Sequence, residues 1–451
     1  MLVGGGLSFP RDEATFNHAA PMKSDAHHKT RTLWLTGVLH AFTHLYGVAL
    51  LPLYLRIQQD LKLRSVEQAT LLVTVMGVAY FLPSYVQGVL ADRLSRKRLL
   101  AAGLAINALG FVGLSFAPNY SWALASVVLA GFGGSFYHPA ATALIARLFP
   151  AARGHALGLA GIGASVGFFL GPIYCGWRVV NCGSWRSPVL EIGLAGLVAA
   201  GLFAWLADEE RDAGPTQGSR MPKTPLYSAA SHKLFPTPAL WGFFLATSIL
   251  FSLRDFAGSA MATSASLFLQ NAHGFSPKIT GLALSGIFIA SAISNPVFGR
   301  LSDGGRIRWI TFVLLMAAGL MSLFPRVPVG WMVPVLIAYG FFFLSSYPIT
   351  EAALMEAVPD SVRGRIFGLF ITLSGLVSNL SHWLVGDWVE KLGPRAAAPA
   401  SYLPLYAALS LLVVLSLAAL PFLHALRKRE HLDGAGPAAP PLSALHSHDA
   451  P

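Results

Sequence analysis

The stretch that decides the fold is GVLADRLSRKR, residues 88–98, because a variant of it, GRLSDGGRIR, recurs at residues 299–308. The first glycines of the two copies, Gly88 and Gly299, are 211 positions apart. In both copies an apolar run precedes the motif and a group of basic residues ends it. The two copies therefore mark equivalent turns in two halves of the chain.

A second pair of motifs supports the duplication. PAARGHALGL begins at Pro150 and PDSVRGRIFGL begins at Pro359, which places Arg153 and Arg363 210 positions apart. The motifs occur in the same order in each half, so the halves have the same topology. This pattern predicts parallel repeats related by an axis along the membrane normal.

The composition is that of a membrane protein. Charged residues make up 12% of the chain, against about 25% in soluble domains. Hydrophobic residues make up 54%, and the mean hydropathy is +0.57. The first 30 residues are polar and lack the apolar core of a signal peptide, so a cytoplasmic tail is expected. Cys175 and Cys182 flank one short outer loop and could form a disulfide, but unpaired thiols are expected.

The sequence predicts an all-α membrane protein with twelve transmembrane helices, since about 20 apolar residues cross the hydrocarbon. The predicted spans are 33–56, 69–91, 99–117, 121–148, 154–177, 188–207, 239–269, 279–299, 309–325, 330–354, 365–389 and 402–424. Grouped, they predict a tail (1–32), a six-helix bundle (33–207), a cytoplasmic linker (208–238), a second six-helix bundle (239–425) and a disordered tail (426–451).

Lysine and arginine predict the orientation. With the N-terminus in the cytoplasm, 22 of these residues fall on cytoplasmic segments and 9 on the opposite side. Positive charge is retained on the cytoplasmic side of membrane proteins. Both termini are therefore expected in the cytoplasm, and the net charge of +11 is assigned to the lipid-facing inner surface rather than to nucleic acid.

Strong ionisable groups deep in the spans occur mainly in four of them. A charge near the bilayer centre costs about 2.5–3.5 kcal/mol on insertion scales and seldom faces lipid. The first, fourth, seventh and tenth spans carry these groups, namely His40, His44, His138, Arg254, Asp255 and Glu351. Four spans at a spacing of three predict a common polar cavity through which a solute moves.

Each group has a candidate role. Arg254 is expected to bind a substrate anion, because a guanidinium can contact carboxylate or phosphate with two hydrogen bonds. Asp255 or Glu351 could exchange the proton, with His40 as a further proton site. Tyr137, His138 and His44 are candidate substrate contacts; the functional residues are thus Arg254, His138, Tyr137, His44, Asp255, Glu351 and His40.

Structural alternatives remain open for the same residues. The histidines could only hydrogen-bond neighbouring helices, with Pro139 freeing a carbonyl for His138. Arg254 could form an internal ion pair with Asp255 or Glu351 that only satisfies buried charge. Adjacent helical residues point about 100° apart, so Arg254 and Asp255 are expected to face different directions.

The repeated turn resembles the loop signature of the major facilitator superfamily, Gly-x-Leu-x-Asp-Arg-x-Gly-Arg-Lys. Ser95 replaces the second glycine in the first copy, whereas the second copy keeps Gly305 but has Gly304 for the arginine. The resemblance covers about residues 33–425 and implies two six-helix bundles around a central site. Residues 133–172 are in addition similar to the fosmidomycin-resistance type of exporter.

The resemblance implies conformational roles for the turn. In the family it is thought to lock the halves in the outward-facing state, with the aspartate near the positive N-terminus of the eleventh helix. Here that implies gating roles for Gly88, Asp92 and Arg93, and for Asp303 in the second copy, opposite a helix that begins near Arg363. The alternative is a topology anchor without a conformational role.

The fifth span is similar to the exporter-associated motif of the family, with Cys175 in place of one glycine. Gly163, Gly167 and Gly171 recur every four residues and form one small face, which permits close helix approach in lipid. Pro172 can bend the helix. The resemblance implies a gating role for Gly167, Gly171 and Pro172; the alternative is packing alone.

The expected function is proton-coupled secondary transport, most plausibly export of a small organic compound across the plasma (inner) membrane. The absence of G-K-[ST] from the sequence excludes a Walker-type ATP site. The sequence indicates no enzyme, cofactor, metal site or nucleic-acid partner; its expected partners are a small-molecule substrate, protons and the lipid bilayer, and a monomer is expected. Proton-coupled uptake of a metabolite and a transporter-like membrane sensor are the alternatives.

Overall fold

The computed structural model describes residues 19–433 apart from 151, 209–233, 236 and 359–361. Within these ranges the chain is helical and contains no strand, which confirms the all-α prediction. The predicted tail before residue 19, the linker core and the segment after residue 433 lie outside the described residues.

The first half contains six transmembrane helices, numbered α1 to α6. Three of them are interrupted and are given as segments: α1 (Ala19–Ala49, a 3-10 turn at Leu51–Leu53, and Tyr54–Asp60), α2 (Val66–Phe81 and Ser84–Arg93), α3 (Arg96–Ser115), α4 (Tyr120–Gly134 and Tyr137–Leu148), α5 (Arg153–Cys182) and α6 (Arg186–Leu206).

The second half repeats this order with six further helices. They are α7 (Pro238–Asn271), α8 (Pro277–Ile289 and Ser291–Ser302), α9 (Arg306–Leu323), α10 (Val329–Glu356), α11 (Arg363–Leu392) and α12 (Leu403–Ser416 and Ala419–Asp433). Short 3-10 turns at Phe324–Arg326, Gly393–Ala397 and Pro399–Tyr402 join the later helices.

Local sequence explains where helices begin and break. The side chains of Asn119, Thr237 and Ser276 cap α4, α7 and α8 by accepting a hydrogen bond from a backbone N–H three residues later. Pro139 and Pro421 follow the breaks in α4 and α12, because proline has no N–H for the carbonyl four residues earlier.

Both ends of the helical region differ from the predicted boundaries. The first helix begins at Ala19 rather than at residue 33, and the last continues to Asp433, into the tail predicted to be disordered. The residues after Pro421 include Leu, Ala, Lys, Arg and Glu, which are strong helix formers, and glycine first follows at 434. The predicted span stopped where polar residues begin, whereas the helix continues through those polar residues.

The membrane prediction agrees with the lengths and composition of the helices. Ten helices in the described part of the chain are long and apolar enough to cross a membrane. The remaining two, α2 and α4, are broken into shorter segments. Both cysteines lie in α5, seven residues apart, and are free; two turns of helix separate them too far for a disulfide.

Helix packing repeats between the halves. Helix α1 packs on α5 as α7 packs on α11. Between the bundles, α2 packs on α11 and α5 packs on α8. These two contacts are equivalent, because the repeat relates α2 to α8 and α5 to α11. The arrangement is that of two six-helix bundles related by a twofold axis.

The bundles meet at the membrane side opposite the two chain ends, which we name the far side; the other is the terminal side. There Glu390 Oε2 accepts from Val66 N at 2.7 Å, joining α11 to α2. Ser285 Oγ donates to the Phe169 carbonyl at 2.6 Å, joining α8 to α5. Tyr54 and Thr263 join α1 to α7 through their hydroxyls at 3.2 Å.

Packing between the bundles involves mainly the first segments of α2 and α8, Val66–Phe81 and Pro277–Ile289, rather than their terminal ends. The side chain of His138, midway along α4, is exposed. A Cβ atom built on Gly88 or Gly299, at the terminal ends of α2 and α8, has no described atom within 4 Å. The bundles are therefore joined mainly on the far side in this conformation.

Candidate functional site

The first half brings together three histidines, which we name the histidine cluster: His40, His44 and His138. His40 and His44 lie one turn apart on α1, and His138 is the second residue of the second segment of α4. The ring centroids of His138 lie 5.3 Å from His40 and 5.7 Å from His44. The predicted convergence of these residues is present.

Hydrogen bonds orient two of the rings. His40 Nδ1 lies 2.9 Å from the carbonyl of Ala160 on α5. His40 Nε2 lies 3.1 Å from His44 Nε2. Since a carbonyl can only accept, the Nδ1 atom of His40 carries the proton and its Nε2 atom presents a lone pair to His44. The ring of His44 packs on Phe168 with centroids 4.3 Å apart.

Tyr137 supports the cluster rather than presenting its hydroxyl to the cavity. Its ring stacks on His40 with centroids 4.5 Å apart. Its hydroxyl donates to the Thr36 carbonyl at 3.0 Å, and the residue is buried. In this conformation the contact predicted with substrate is replaced by a hydrogen bond to α1.

The second half contains a charged cluster, formed by Arg254 and Asp255 on α7 with Ser346 and Thr350 on α10. Arg254 Nε and Nη2 both lie 2.8 Å from Asp255 Oδ1. Arg254 Nη1 donates to Thr350 Oγ1 at 2.9 Å and lies 3.5 Å from the carbonyl and hydroxyl oxygens of Ser346. The Arg254 side chain is only 1% exposed.

This pairing corrects the expectation that the two neighbouring side chains diverge. Their Cβ directions do differ, but the long arginine side chain folds back so that its guanidinium reaches the carboxylate. The guanidinium also stacks on Tyr347, with Cζ 4.3 Å from the ring centroid. Of the two internal ion pairs left open by the sequence, the pair with Asp255 is the one present.

Glu351 follows Thr350 on α10 and stands apart from this pair. It is half-buried, and it makes no hydrogen bond or ion pair with another residue of the described ranges. A carboxylate at this depth is costly when it is charged and unpaired. Among the described residues, Glu351 therefore has no hydrogen-bonding or ion-pair partner, although it lies on the same helix as Thr350, which binds Arg254.

The repeat places the two clusters at equivalent positions. His44 and Arg254 are 210 residues apart, the offset that also relates Arg153 to Arg363. Helices α1 and α7 thus present different chemistry at the same site of the two bundles. One half offers neutral rings with lone pairs, and the other offers a buried ion pair beside an unpaired carboxyl group.

The gating residues are placed less completely. Asp92 lies in α2, but its side chain is outside the described residues. Arg93 is exposed. Asp303 Oδ1 lies 3.3 Å from Arg306 Nη2, and Arg306 also contacts Glu356 at 2.6 Å. In this conformation Asp303 therefore forms a contact within its own half.

The small face of α5 packs on α1. A Cβ atom on Gly163 would lie 2.0 Å from the Gly37 carbonyl, and one on Gly167 would lie 2.0 Å from the Ala41 carbonyl. The predicted close helix approach is therefore present. Farther along α5, the carbonyl of Pro172 would lie 2.2 Å from a Cβ on Gly281 of α8. The same helix thus forms one seam within its bundle and one between bundles.

Sequence reasoning did not identify several of the partners. Ser346, Tyr347 and Thr350 surround Arg254, and Glu356 joins Arg306 of α9 to Arg427 of α12, at 2.6 and 3.8 Å respectively. The available signal was the run SSYPITE at 345–351, which places small hydroxyl residues in an apolar span. Small polar residues inside a transmembrane helix are typical of helix contacts.

A duplicated twelve-helix bundle with a polar cluster inside each half is the architecture of a secondary transporter. The model of the Major Facilitator Superfamily matches residues 33–382. The chain belongs to this superfamily, and it is a transporter rather than an enzyme.

Curated relatives and solved structures are consistent with this assignment. The enterobactin exporter EntS of Shigella flexneri is 26% identical over 386 residues, covering 83% of this chain and 89% of the relative. The quinolone resistance protein NorA of Staphylococcus aureus is 27% identical over 252 residues, covering 56% of this chain and 61% of NorA.

Two solved structures share the fold. A bacterial homologue of the human lysosomal transporter Spinster, crystallised inward-facing and unoccupied, superposes with a TM-score of 0.72 at 17% identity and covers 91% of this chain and 99% of that one. The nucleoside transporter NupG superposes with a TM-score of 0.65 at 18% identity. The match covers 87% of this chain and 99% of the NupG chain.

Proposed function

We propose that this protein is a proton-coupled exporter that moves a small organic compound out of the cytoplasm by alternating access. The observation that carries the proposal is Glu351, a half-buried carboxyl group at membrane depth without a partner in the described ranges. A group in this position can be neutral in one conformation and charged in another. It lies next to Thr350, which holds the buried Arg254–Asp255 pair.

Export is supported by two independent observations. EntS and NorA are described as an exporter and a resistance protein, and residues 133–172 resemble the fosmidomycin-resistance type of exporter. The excess of lysine and arginine on the terminal side supports a cytoplasmic location for that side, from which a compound would enter for export. The location would be the plasma (inner) membrane.

The candidate roles divide between the bundles. Arg254 would recognise an anionic or polar group when Asp255 releases it, and Glu351 or Asp255 would carry the proton. His40, His44 and His138 would contact the compound from the opposite bundle. Because both clusters lie within one chain, the proposal treats the transporter as a monomer. Gly88, Asp92, Arg93 and Asp303 would close the terminal side in the other conformation.

The test uses the full chain in proteoliposomes that contain a pH-sensitive dye. Compounds are added under an imposed proton gradient, and the dye and a labelled compound are followed together. Exchange requires the compound and protons to move in opposite directions, whereas movement in the same direction would establish uptake instead. A panel in which no compound moves would support the sensor alternative.

Glu351→Gln tests the proton site. We expect this variant to retain compound binding and to lose proton movement that depends on the compound. Asp387→Asn is the matched control, because Asp387 pairs with the exposed Lys391 at 2.6 Å, outside the centre of the bundle. Unchanged proton coupling in Glu351→Gln would exclude this residue as the coupling group.

A further inference from the structure

The histidine cluster has the geometry of a metal site, although the sequence contains no familiar metal motif. Its three rings each offer one nitrogen, and these ligand atoms lie within 4.8 Å of one another. We propose that His40, His44 and His138 bind a divalent transition-metal ion of the class of Zn²⁺, Co²⁺ and Ni²⁺. This goes beyond the proposed function, since binding requires neither proton coupling nor a direction of transport.

The closest pair of nitrogens has the spacing of two ligands on one ion. Zn–N bonds of about 2.0–2.1 Å in a tetrahedral site place two ligand nitrogens about 3.3 Å apart. His40 Nε2 and His44 Nε2 are 3.1 Å apart. An ion between them would replace the hydrogen bond, with the proton of His44 moved to its Nδ1 atom. The one-turn spacing on α1 therefore suffices for two ligands.

The orientation of His40 supports the same interpretation. Its Nδ1 atom faces the Ala160 carbonyl at 2.9 Å, which leaves the Nε2 lone pair directed at His44. Metal-binding histidines almost always donate their other N–H group to a carbonyl, a carboxylate or water in this way. Stacking of Tyr137 on the His40 ring, at 4.5 Å, fixes the plane of the ring as well.

The third ligand, His138, is accessible, and a set of three ligands leaves one coordination position of the ion open. The side chain of His138 is exposed, so an ion can reach its ring from outside the protein. Among the residues that the structure describes, no carboxylate or thiol joins the group of three. Neutral imidazole favours zinc, nickel and cobalt over magnesium or calcium. The fourth position would hold water or an anionic oxygen of the transported compound.

The experiment measures binding to the full chain in detergent, purified through a tag without histidine. Co²⁺ is the spectroscopic probe, because its visible absorption changes when nitrogen ligands replace water, and Zn²⁺ competition gives the affinity. The background protein carries alanine at His27, His28, His446 and His448, so that these closely spaced pairs of terminal histidines cannot bind the ion. We expect one ion per chain and a change in the Co²⁺ spectrum.

Two cluster variants and one control decide the outcome. His44→Gln and His138→Ala should each weaken Zn²⁺ binding by about tenfold or more, since even partners of metal ligands change affinity by about 10–100-fold. His155→Ala, an exposed histidine of α5, should bind as the background does. Thermal unfolding of each variant checks that it is folded.

Binding that is unchanged in folded His44→Gln and His138→Ala would overturn the proposal, as would the absence of one-to-one binding in the background protein. These results are independent of transport, because the assay contains no proton gradient. A protein that binds the ion and moves no compound would retain this site while the proposed function fails.

Discussion

The two bundles have the same topology but different chemistry at equivalent positions. Helix α1 places His44 among neutral rings, one of them exposed, whereas α7 places Arg254 in an ion pair that is almost completely buried. Arg254 and Asp255 satisfy each other, whereas the exposed His138 of the first half forms no hydrogen bond with a residue that the structure describes. A duplicated fold can thus assign recognition to one half and charge compensation to the other.

The difference has an energetic consequence. A buried charge that has lost its partner is far more costly than a lost hydrogen bond between neutral groups. Substitutions at His44 and Arg254 should therefore affect stability very differently, even though the repeat makes the positions equivalent. Substitutions in each half can therefore test whether the two clusters differ in this way.

Arg254→Ala should have the largest effect. It would leave Asp255 buried without its partner, and removing one member of a buried ion pair typically costs about 3–5 kcal/mol. Transport should be lost as well if Arg254 binds the substrate anion. The measurement is reversible unfolding in mixed micelles, with transport in vesicles followed separately.

The double variant Arg254→Ala/Asp255→Ala provides the control. With both charges removed, stability should recover by more than half, because no uncompensated charge remains. A double variant as unstable as Arg254→Ala alone would mean that the contacts of Arg254 with Thr350 and Tyr347, rather than the ion pair, hold α7 to α10.

The pairing of Arg254 with Asp255 shows which feature of the site could not be predicted from the sequence, namely the direction of a side chain. The positions of the polar groups could be predicted, because charge at membrane depth is rare and costly. The direction of a flexible guanidinium could not, since several rotamers are accessible and neighbouring contacts choose among them. For the same reason the hydroxyl partners Ser346 and Thr350 were not identified, although their span was.

The fold shows a similar division. Internal duplication and hydropathy predicted twelve helices and two bundles, because the repeated turns and apolar lengths are encoded locally. Helix ends were less predictable: α12 extends to Asp433 because good helix formers continue beyond the apolar span. The contacts that join the bundles on the far side belong to one conformation of the transport cycle, and a sequence specifies both conformations.

Two glycine substitutions extend the comparison to the helix seams, with an intermediate effect. Gly167 packs on α1 within a bundle, whereas Gly281 packs on α5 between bundles. Overpacking typically costs about 1–3 kcal/mol. Gly167→Ala should destabilise the whole protein, since both conformations contain that seam. Gly281→Ala should instead shift the population toward a far side that is open.

Accessibility of the far side distinguishes these results. A cysteine introduced at Ser285, next to the α5–α8 seam, should react faster with a membrane-impermeant maleimide in Gly281→Ala than in the parent. The background for this measurement replaces Cys175 and Cys182. Equal reaction rates, with unfolding as strong as in Gly167→Ala, would show that the two seams are equally structural.

His44→Ala should have the smallest effect on stability, measured with a chelator present so that no metal contributes. The variant loses one hydrogen bond to His40 and a ring contact with Phe168, and a hydrogen bond between neutral groups contributes about 1 kcal/mol. The expected loss is therefore several times smaller than that of Arg254→Ala. A loss as large as that of Arg254→Ala would make the histidine cluster a structural element of the first bundle and would remove the contrast between the two halves. A small loss of stability together with a large loss of transport would instead place His44 at the surface that the moving compound contacts.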